Sequence, residues 1–540
     1  MANKTTKILF IITPFFDIRN YLSGELKSRA PIFTVPYGVL SLAAYVKAHA
    51  KHEVQIKIID LNVKAYHICK NTDNLESDIN NYIANQIIQF QPDVVGMSAL
   101  FNTSYPYLHH ISETIKKVNQ NTILVVGGGL ATNLYSEILN SVSYIDATCY
   151  GEGEIPLCQL LDAEDRNAYL KFSPAWVTRD SLSEERAPDS IFVQNLDQIP
   201  FFDYTLIDLN DYGGRETDNT TRKSTARNLS IHTSRGCPFK CVFCASGSVH
   251  GKKVRFMSVE KVVTEVEHMI NSLNMEVLAI DDDHFLSDRE RAKKILYRLI
   301  DFKIRIEFPN GIAVYALDDE IGLLLKKAGV TTISLAVESG SEFVLKHVIN
   351  KPLKLEMVKY AVKLLRENNI SVHAGFVVGL PGELEEHRDE TMALIFDYGF
   401  DWCYFNLAVP VAGSRLYKIC KENDYLINNE LGEHITMKCN IRTPDIDPEF
   451  MEEKAYLMNL EANFVKNYNL SIGNFIKALK YFQNITEKYP DHAFAHYYLA
   501  KAHEGLESEA KIIKYHMDRF FDLVNDNKVW SKYSQLFNLI

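Results

Sequence analysis

The sequence predicts an α/β protein in which two series of alternating strands and helices are followed by a purely helical region. Short apolar runs rich in Ile and Val alternate with amphipathic stretches up to about residue 165, and the same alternation returns between residues 228 and 425. Beyond residue 425 the strand-like runs end. Alternation of this kind predicts parallel sheets, because crossover helices cover both faces of the sheet and leave its strands uniformly apolar.

Each series predicts its own architecture and therefore its own domain. We assign residues 1–165 to an open, doubly wound, Rossmann-like sheet, and residues 228–425 to a partial (β/α)6 barrel of the TIM type. The polar stretch Asn210–Arg227 predicts that residues 166–227 form a linker. In both architectures ligands bind at the carboxyl ends of the strands, where the loops converge.

The predicted strands are short and mostly apolar. Those of the first domain are Lys7–Thr13, Val54–Asp60, Val94–Ala99, Ile123–Val126 and Tyr144–Tyr150. Those of the second domain are Asn228–Ser234, Glu276–Asp281, Arg305–Ile312, Thr332–Val337, Val372–Val378 and Trp402–Val409. Helical patterns lie between consecutive strands, which predicts that the chain crosses over after most of them.

Residues 426–540 are predicted to form a helical domain. Helical patterns cover Asn474–Lys488 and His492–Gly505. Between residues 470 and 520, four residues stand where a tetratricopeptide repeat has small, aromatic and proline positions: Gly473, Ala478, Phe482 and Pro490. Fewer than two full repeats are visible, so a simple helical hairpin is the alternative interpretation.

Composition argues against two classes of protein. The formal net charge of -11 argues against a surface that coats nucleic acid, which needs clustered Lys and Arg. No apolar stretch reaches the roughly 18 residues that a membrane-spanning helix requires. The nine cysteines are odd in number and lack the spacing of a disulfide framework, so they predict reduced thiols and a cytoplasmic location.

Three of the cysteines are closely spaced. The segment from Thr233 to Cys244 follows a predicted strand and places Cys237, Cys241 and Cys244 in a C-x3-C-x2-C pattern. One loop can present three such thiolates to an iron–sulfur cluster, and the missing fourth thiolate leaves one iron open to another ligand. The alternative is a zinc site, but zinc prefers four ligands in paired C-x2-C halves, and the second half is missing from the sequence.

This loop resembles the cluster-binding signature of the radical S-adenosylmethionine (SAM) superfamily. The resemblance extends over about residues 228–420. It implies that the three cysteines hold a 4Fe–4S cluster, that SAM chelates the fourth iron, and that electron transfer cleaves SAM to a 5′-deoxyadenosyl radical. It also implies an external electron donor of the flavodoxin or ferredoxin type.

Later segments resemble the SAM-binding motifs of the same superfamily. Asp281 and Asp282 stand where the superfamily binds the amino group of SAM, although Gly-Gly-Glu is more usual there. Glu338 follows the fourth strand of the barrel, and Gly379 and Pro381 follow the fifth. The resemblance implies that these residues contact SAM. A solvated acidic turn or a helix cap is the alternative for the aspartates.

The first domain resembles the cobalamin-binding domain found upstream of many radical SAM domains. The match consists of a triple glycine after a strand (Gly127–Gly129), then Asp146, then the Gly-Glu-Gly-Glu segment Gly151–Glu154. The cobalamin contacts that the resemblance implies are Thr13, Ser98, Gly127, Gly128, Gly129, Gly151 and Glu152. The motif Asp-x-His-x-x-Gly, which supplies a cobalt ligand in some cobalamin proteins, is absent from this region of the sequence. The resemblance therefore implies cobalt without a protein histidine. The alternative is that the domain has lost the cofactor and only shapes a substrate cavity.

Together the resemblances identify the chain as a member of the cobalamin-binding radical SAM enzymes, similar to the class B methyltransferases. They imply methylation of an unactivated carbon of a small-molecule, lipid or peptide substrate through the 5′-deoxyadenosyl radical and methylcobalamin. One alternative is a cyclisation, rearrangement or oxidation that uses the same cofactors. Another is a non-catalytic cobalamin-binding or interaction module.

Two further expectations concern what the chain binds. Tyr404 and Asn406 on the last predicted strand are candidates to face the substrate, with core packing as the alternative for Tyr404. The carboxyl-terminal helices are the candidate surface for a protein partner.

Overall fold

The computed structural model describes residues 5–15, 33–69, 74–213, 226–427 and 438–540. Most of the polar stretch that predicted a linker, residues 214–225, lies outside the described residues.

The first domain is the predicted open sheet with one additional strand. Its strands are β1 (Thr6–Ile12), β2 (Val54–Asp60), β3 (Val94–Ser98), β4 (Ile123–Gly127), β5 (Ala147–Cys149) and β6 (Trp176–Val177). They lie in the order β2-β1-β3-β4-β5-β6, and all neighbours are parallel except β5 and β6. The β6 strand falls within the predicted linker, which also contains two short helices. Elements this short carry too little periodicity to stand out in a sequence.

Alternate side chains of this sheet enter two different cores. Ile8 and Phe10 of β1 belong to a core that continues into the second domain. Leu9 and Ile11 face a separate core on the other side of the sheet. Because one core extends through both domains, the sheet and the barrel pack as one unit.

The second domain contains the six parallel strands that the sequence predicted. Its strands are β7 (Asn228–Ile231), β8 (Ser234–Arg235), β9 (Arg255–Phe256), β10 (Val277–Ile280), β11 (Arg305–Glu307), β12 (Thr332–Glu338), β13 (Ser371–Val378) and β14 (Trp402–Leu407). Two three-stranded sheets, β11-β10-β7 and β12-β13-β14, are joined by isolated parallel bridges from the β11 segment to the β12 segment. The antiparallel pair β8–β9 was not predicted, because each of its strands is only two residues long.

The helices lie between the strands and after them. In the first domain and the linker they are Tyr37–His49, Leu61–Cys69, Leu75–Phe90, Tyr105–Val118, Gly129–Asn133, Tyr135–Ser141, Glu154–Asp162, Arg166–Phe172 and Arg179–Ser183. In the barrel they are Ser246–Val249, Val259–Leu273, Arg289–Leu299, Asp319–Lys327, Leu355–Glu367, Glu385–Tyr398 and Arg415–Glu422, with a π-helical segment at Val344–Ile349. The carboxyl-terminal helices are Pro448–Leu460, Tyr468–Ser471, Phe475–Lys488, Ala493–Gly505, Ala510–Asp526 and Lys528–Leu536, with a π-helical segment at Glu461–Val465.

Several barrel helices start at the polar residues that cap them. Ser258, Asp288 and Asp318 each accept a hydrogen bond from the backbone N–H three residues later. Such a cap satisfies one of the amides that the first helical turn leaves unpaired.

The carboxyl-terminal domain lies against β14, the edge strand of the barrel. Asn463 accepts a hydrogen bond from Cys403 N–H at 2.8 Å and donates to Cys403 C=O at 2.7 Å, so its amide satisfies the exposed edge of the strand. Tyr468 packs against Gly399 just before β14. Helices Phe475–Lys488, Ala493–Gly505 and Ala510–Asp526 then pack on one another in succession. Among the described residues, no helix combines the length and apolarity of a membrane span.

Candidate cluster and cofactor site

The three closely spaced cysteines lie in a loop that the β8–β9 pair closes at its base. Cys237 N–H donates to Gly251 C=O at 3.3 Å, so the two ends of the loop meet. Gly236 has a φ of +100°, and a Cβ there would lie 2.5 Å from Lys253 O. Only glycine therefore fits at this corner.

The cysteine thiols have the properties that a cluster requires. Cys237, Cys241 and Cys244 are free, and Cys244 is exposed. Their Sγ atoms do not all lie within 4.8 Å of one another, so they do not form a single-ion site. Burial raises the pKa of all three thiols, that of Cys241 to about 11, while the nearby Lys351 ammonium acts in the opposite direction. A raised pKa does not prevent cluster binding, because iron binds the thiolate and thereby displaces the proton from the thiol. The arrangement fits a cluster that spans the loop.

Charged side chains from three other elements surround this loop. Lys351 donates to Glu338 Oε1 at 2.9 Å and to Ala336 C=O at 2.6 Å. Glu338 ends β12 with a φ of +70°, a conformation that is rare for a residue with a side chain and typical of functional sites. Asp283, after β10, is exposed and accepts a hydrogen bond from Ser246 at 2.5 Å. Of these, the sequence singled out only Glu338.

The two aspartates predicted to bind SAM are in different environments. Asp282 is buried, and its carboxylate accepts hydrogen bonds from Thr233 N–H (2.5 Å), Thr233 Oγ1 (2.6 Å) and Ser234 Oγ (2.6 Å). Its oxygens hold the end of β7, so the expectation that Asp282 contacts SAM is corrected. Desolvation raises the pKa of Asp282 to about 6, although these hydrogen bonds lower it. Asp281 is partly exposed and remains a candidate to bind SAM.

In β12, β13 and β14, one face is partly accessible and the other is mostly buried and apolar. Register pairs place Ala336, Gly375 and Tyr404 side by side on the accessible face, with Asn406 beside Val377 on the same face. A Cβ at Gly375 would meet nothing within 4 Å, so open space lies over this glycine. Such space fits a flat ligand group that approaches the backbone.

The remaining predicted residues of the barrel lie just beyond this face. Gly379 is buried, and its N–H donates to Glu383 Oε2 at 2.7 Å, while Pro381 is partly exposed.

The Tyr404 hydroxyl lies 3.2 Å from His373 Nδ1, and His373 Nε2 lies 2.7 Å from the Tyr481 hydroxyl. Tyr404 therefore joins the packing against the carboxyl-terminal domain.

A group of aromatic side chains beside the cysteines was missed by the sequence interpretation. His284 Nε2 is hydrogen-bonded to the Tyr315 hydroxyl, and the Phe239 ring lies 5.5 Å from His284 and 5.8 Å from Tyr315. Desolvation lowers the pKa of His284 and raises that of Tyr315, on which the Cys237 thiolate also acts. These residues follow β10 and β11, where a barrel places its site, but nothing in their spacing distinguishes them in sequence.

The first domain presents a glycine surface at the carboxyl ends of β3 and β4. Gly127, Gly128 and Gly129 are partly exposed, as is Ser98 at the end of β3. Gly128 has a φ of +104°, and a Cβ there would lie 2.5 Å from Ala99 O. Directly after Ser98 come the exposed side chains Leu100 and Phe101, which the sequence interpretation did not single out. A side-chain-free surface beside exposed apolar groups fits a broad cofactor such as cobalamin.

Three predicted cobalamin contacts have other partners in the structure. Thr13 is 1% exposed, and its hydroxyl donates to Ser98 C=O at 2.8 Å, so it joins β1 to β3. Gly151 is buried beneath Ser190, which lies 2.7 Å from the position of an added Cβ. Glu152 is buried and bonded to Arg255 and His250 of the barrel. The expectations for Thr13, Gly151 and Glu152 are therefore corrected, since strand ends carry interface residues as well as ligands.

The glycine surface of the first domain lies next to the cysteine loop of the second. A Cβ on Gly129 would be 3.8 Å from Val249 Cγ2, and Val249 ends the short helix that follows Cys244. Asn102 of the first domain also accepts a hydrogen bond from Ala412 N–H at 3.4 Å. The two candidate cofactor sites therefore face each other.

Two known family profiles match the two domains that carry these candidate sites. The profile of the radical SAM superfamily matches residues 231–395, and that of the B12 binding domain matches residues 29–161. The chain therefore combines an amino-terminal B12-binding domain with a radical SAM domain. Its cofactors are accordingly a 4Fe–4S cluster, SAM and cobalamin, as the sequence predicted.

Curated relatives include both methyltransferases and cyclases. The chain is 25% identical over 472 residues to the cytidylyl-2-hydroxyethylphosphonate methyltransferase of Streptomyces wedmorensis, covering 81% of this chain and 87% of that protein. It is 26% identical over 456 residues to the anaerobic magnesium-protoporphyrin IX monomethyl ester cyclase of Rubrivivax gelatinosus, covering 82% and 75%.

Solved structures share the complete fold. OxsB, a cobalamin-dependent SAM radical enzyme solved with aqua-cobalamin and SAM, matches with a TM-score of 0.63 and 13% identity over 99% of this chain and 82% of OxsB. The methyltransferase TsrM from Kitasatospora setae, solved with cobalamin and a [4Fe-4S] cluster, matches with a TM-score of 0.59 and 14% identity over 97% of this chain and 100% of TsrM.

Proposed function

We propose that this chain is a methyltransferase that transfers a methyl group to an unactivated carbon of a small-molecule, lipid or peptide substrate. The carrying observation is the position of Gly129 beside Val249, which brings the glycine surface and the cysteine loop together. The similarity to the Streptomyces wedmorensis methyltransferase over most of both chains supports the same reaction. When bound, the cluster and SAM supply hydrogen-atom abstraction, and cobalamin supplies a methyl group.

The residues of this chain hold and orient these groups. Cys237, Cys241 and Cys244 are the cluster ligands. For SAM the remaining candidates are Asp281, Glu338, Gly379 and Pro381. The Glu338 carboxylate, which lies 2.9 Å from the Lys351 ammonium, suits an ammonium or a ribose hydroxyl.

The glycine surface is the proposed seat of cobalamin. Gly127, Gly128, Gly129 and Ser98 admit the cofactor to the backbone, and the exposed Leu100 side chain covers part of its apolar ring. The histidines nearby in the sequence have other environments, as shown by His110, which is exposed and lies 3.7 Å from Glu76. Among the described residues, our proposal therefore assigns no histidine to cobalt.

The substrate occupies the space between the two sites. Asn406 is exposed on the accessible face of β14 and can orient a polar group of the substrate. An external electron donor of the flavodoxin or ferredoxin type reduces the cluster. The carboxyl-terminal helices bind a protein partner. The enzyme acts in the cytoplasm.

A second candidate function is a cyclisation, rearrangement or oxidation without methyl transfer. The observation that favours it is the similarity to the Rubrivivax gelatinosus cyclase over 82% of this chain. Both functions place the same residues around the same cofactors, so the products decide between them.

The test is anaerobic reconstitution of the full chain with iron, sulfide and cobalamin, followed by reaction with SAM, a reductant and small-molecule extracts. We expect 5′-deoxyadenosine, S-adenosylhomocysteine and a substrate that gains the mass of one methyl group. Cys241→Ala abolishes all three products, whereas Cys158→Ala, at a cysteine outside the loop, retains them. Deoxyadenosine without S-adenosylhomocysteine would favour the second function, and no cleavage of SAM would refute both.

A further inference from the structure

Two buried arginines lie directly opposite each other at the base of the cysteine loop. Arg235 of β8 pairs with Arg255 of β9 in the antiparallel ladder that closes this loop. Their side chains are 7% and 3% exposed. Like charges at opposed positions of a ladder repel, and burial removes the water that would weaken this repulsion. The β8–β9 pair alone would therefore hold the two ends of the loop together only weakly.

The compensating charges come from the other domain. Glu152 binds Arg255 through two parallel hydrogen bonds of 2.7 and 2.8 Å, and it lies 3.5 Å from Arg235. Glu154 accepts from Arg235 at 2.8 Å and from Ser41 at 2.7 Å. Both glutamates follow β5 of the first domain, and both are buried.

Each of these buried glutamates and arginines compensates the charge of its partner. Burial alone would raise the pKa of Glu152, but hydrogen bonds from Arg255 and His250 lower it to about 2. Glu152 is therefore a carboxylate at neutral pH. Removing one member of such a buried pair leaves an uncompensated charge, which is far more costly than removing both. The segment 249–255, which includes His250, leads from the cysteines to β9, so loss of the pairs acts directly on the loop.

We infer that Glu152 and Glu154 are positioning residues of the cluster, through which the cobalamin-binding domain closes the loop that holds the cysteines. The inference rests on the proposed cluster site, and it is independent of methyl transfer. It assigns the Gly-Glu-Gly-Glu segment a role in holding the cluster rather than in contacting cobalamin.

The test compares how fast the reconstituted full chain releases iron to a chelator. Glu152→Gln keeps the shape of the side chain and removes its charge. We expect this variant to release iron at least about tenfold faster than wild type, because local opening of the loop exposes the cluster. The double variant Glu152→Gln with Arg255→Gln removes both charges and is expected to return to within about threefold of wild type. The electron paramagnetic resonance spectrum of the reduced cluster, with and without SAM, is recorded for each protein.

The controls separate this inference from general loss of stability. Asp397→Asn removes one charge from the exposed pair that Asp397 forms with Lys359 at 3.2 Å, and its iron release stays at the wild-type rate. Iron release from Glu154→Gln is measured in parallel, and this variant tests the inference if Glu152→Gln does not fold. Wild-type release rates and spectra in both single variants would overturn the inference, as would a double variant as fast as the single one. Failure of the wild-type protein to take up iron would instead refute the proposed function.

Discussion

Asp282 shows how one buried carboxylate supports the start of the cysteine loop through hydrogen bonds within the protein. It is 2% exposed, and three donors from Thr233 and Ser234 converge on it. These two residues lead from β7 into the loop. The carboxylate therefore sets the position from which the chain turns toward Cys237.

The raised pKa of Asp282 predicts a pH-dependent stability. Its pKa is about 6 in the folded protein against an ordinary value of 3.8. The folded state holds this proton more tightly, so the resulting stability is present below pH 3.8 and is lost as the pH rises through 6. Between pH 3.5 and pH 7, the free energy of unfolding of the wild type should therefore fall by about 3 kcal/mol relative to that of the non-titrating variant Asp282→Asn. Urea unfolding of the cofactor-free proteins measures this difference.

Exposed carboxylates supply the comparison for this prediction. Asp397→Asn removes an exposed carboxylate, and its stability relative to wild type should change little over the same pH range. A difference in stability between wild type and Asp282→Asn that stays constant with pH would contradict the raised pKa of Asp282.

At the scale of elements, the edge strand β14 depends on one side chain of the carboxyl-terminal domain. Asn463 is 2% exposed and pairs with both backbone groups of Cys403. An incomplete barrel leaves such an edge open, and an open edge invites pairing with another chain. The carboxyl-terminal helices thus complete the barrel at its open side.

Asn463→Ala is expected to lower the free energy of unfolding by about 2–4 kcal/mol, because it leaves a buried N–H and C=O without partners. Urea unfolding measures this loss, and hydrogen exchange at the Cys403 amide should accelerate with it. Asn81→Ala, on the exposed side of helix Leu75–Phe90, is the matched control and should change stability by less than about 0.5 kcal/mol. Equal stabilities of the Asn463 variant and wild type would show that the edge is held in another way.

At the scale of the whole molecule, the first two domains share one hydrophobic core. Leu40 of helix Tyr37–His49 belongs to the same cluster as Leu278 and Leu335 of the barrel strands. The outermost carboxyl-terminal helices have a small core of their own, which includes Leu523. The shared core fixes the distance between the two cofactor sites.

Leu40→Ala is therefore expected to weaken both domains together. The cavity should cost about 2–5 kcal/mol, and native-state hydrogen exchange should show the same loss of protection in residues 29–161 and 231–395. Leu523→Ala should instead increase exchange mainly within the carboxyl-terminal helices. Loss of protection confined to the first domain in Leu40→Ala would mean that the two domains unfold independently.

The amino-acid sequence by itself determined the local features of this protein. The six barrel strands, five of the six sheet strands, the cysteine loop and the glycine surface were all predictable, because periodicity, turn residues and ligand spacing are properties of short segments. The short pair β8–β9 and strand β6 were not, since two residues carry no period.

Only the tertiary structure decided which of the predicted residues are buried against distant parts of the chain and which remain accessible. Asp282, Thr13 and Glu152 stand at or just after strand ends, where ligand residues are expected, yet their partners are Thr233, Ser98 and Arg255, which lie up to 103 residues away. His284 and Tyr315 come from the segments after β10 and β11, and Lys351 follows the π-helical segment Val344–Ile349, yet all three lie beside the cysteine loop. Burial and charge pairing between distant segments assign these roles, and no local pattern records them.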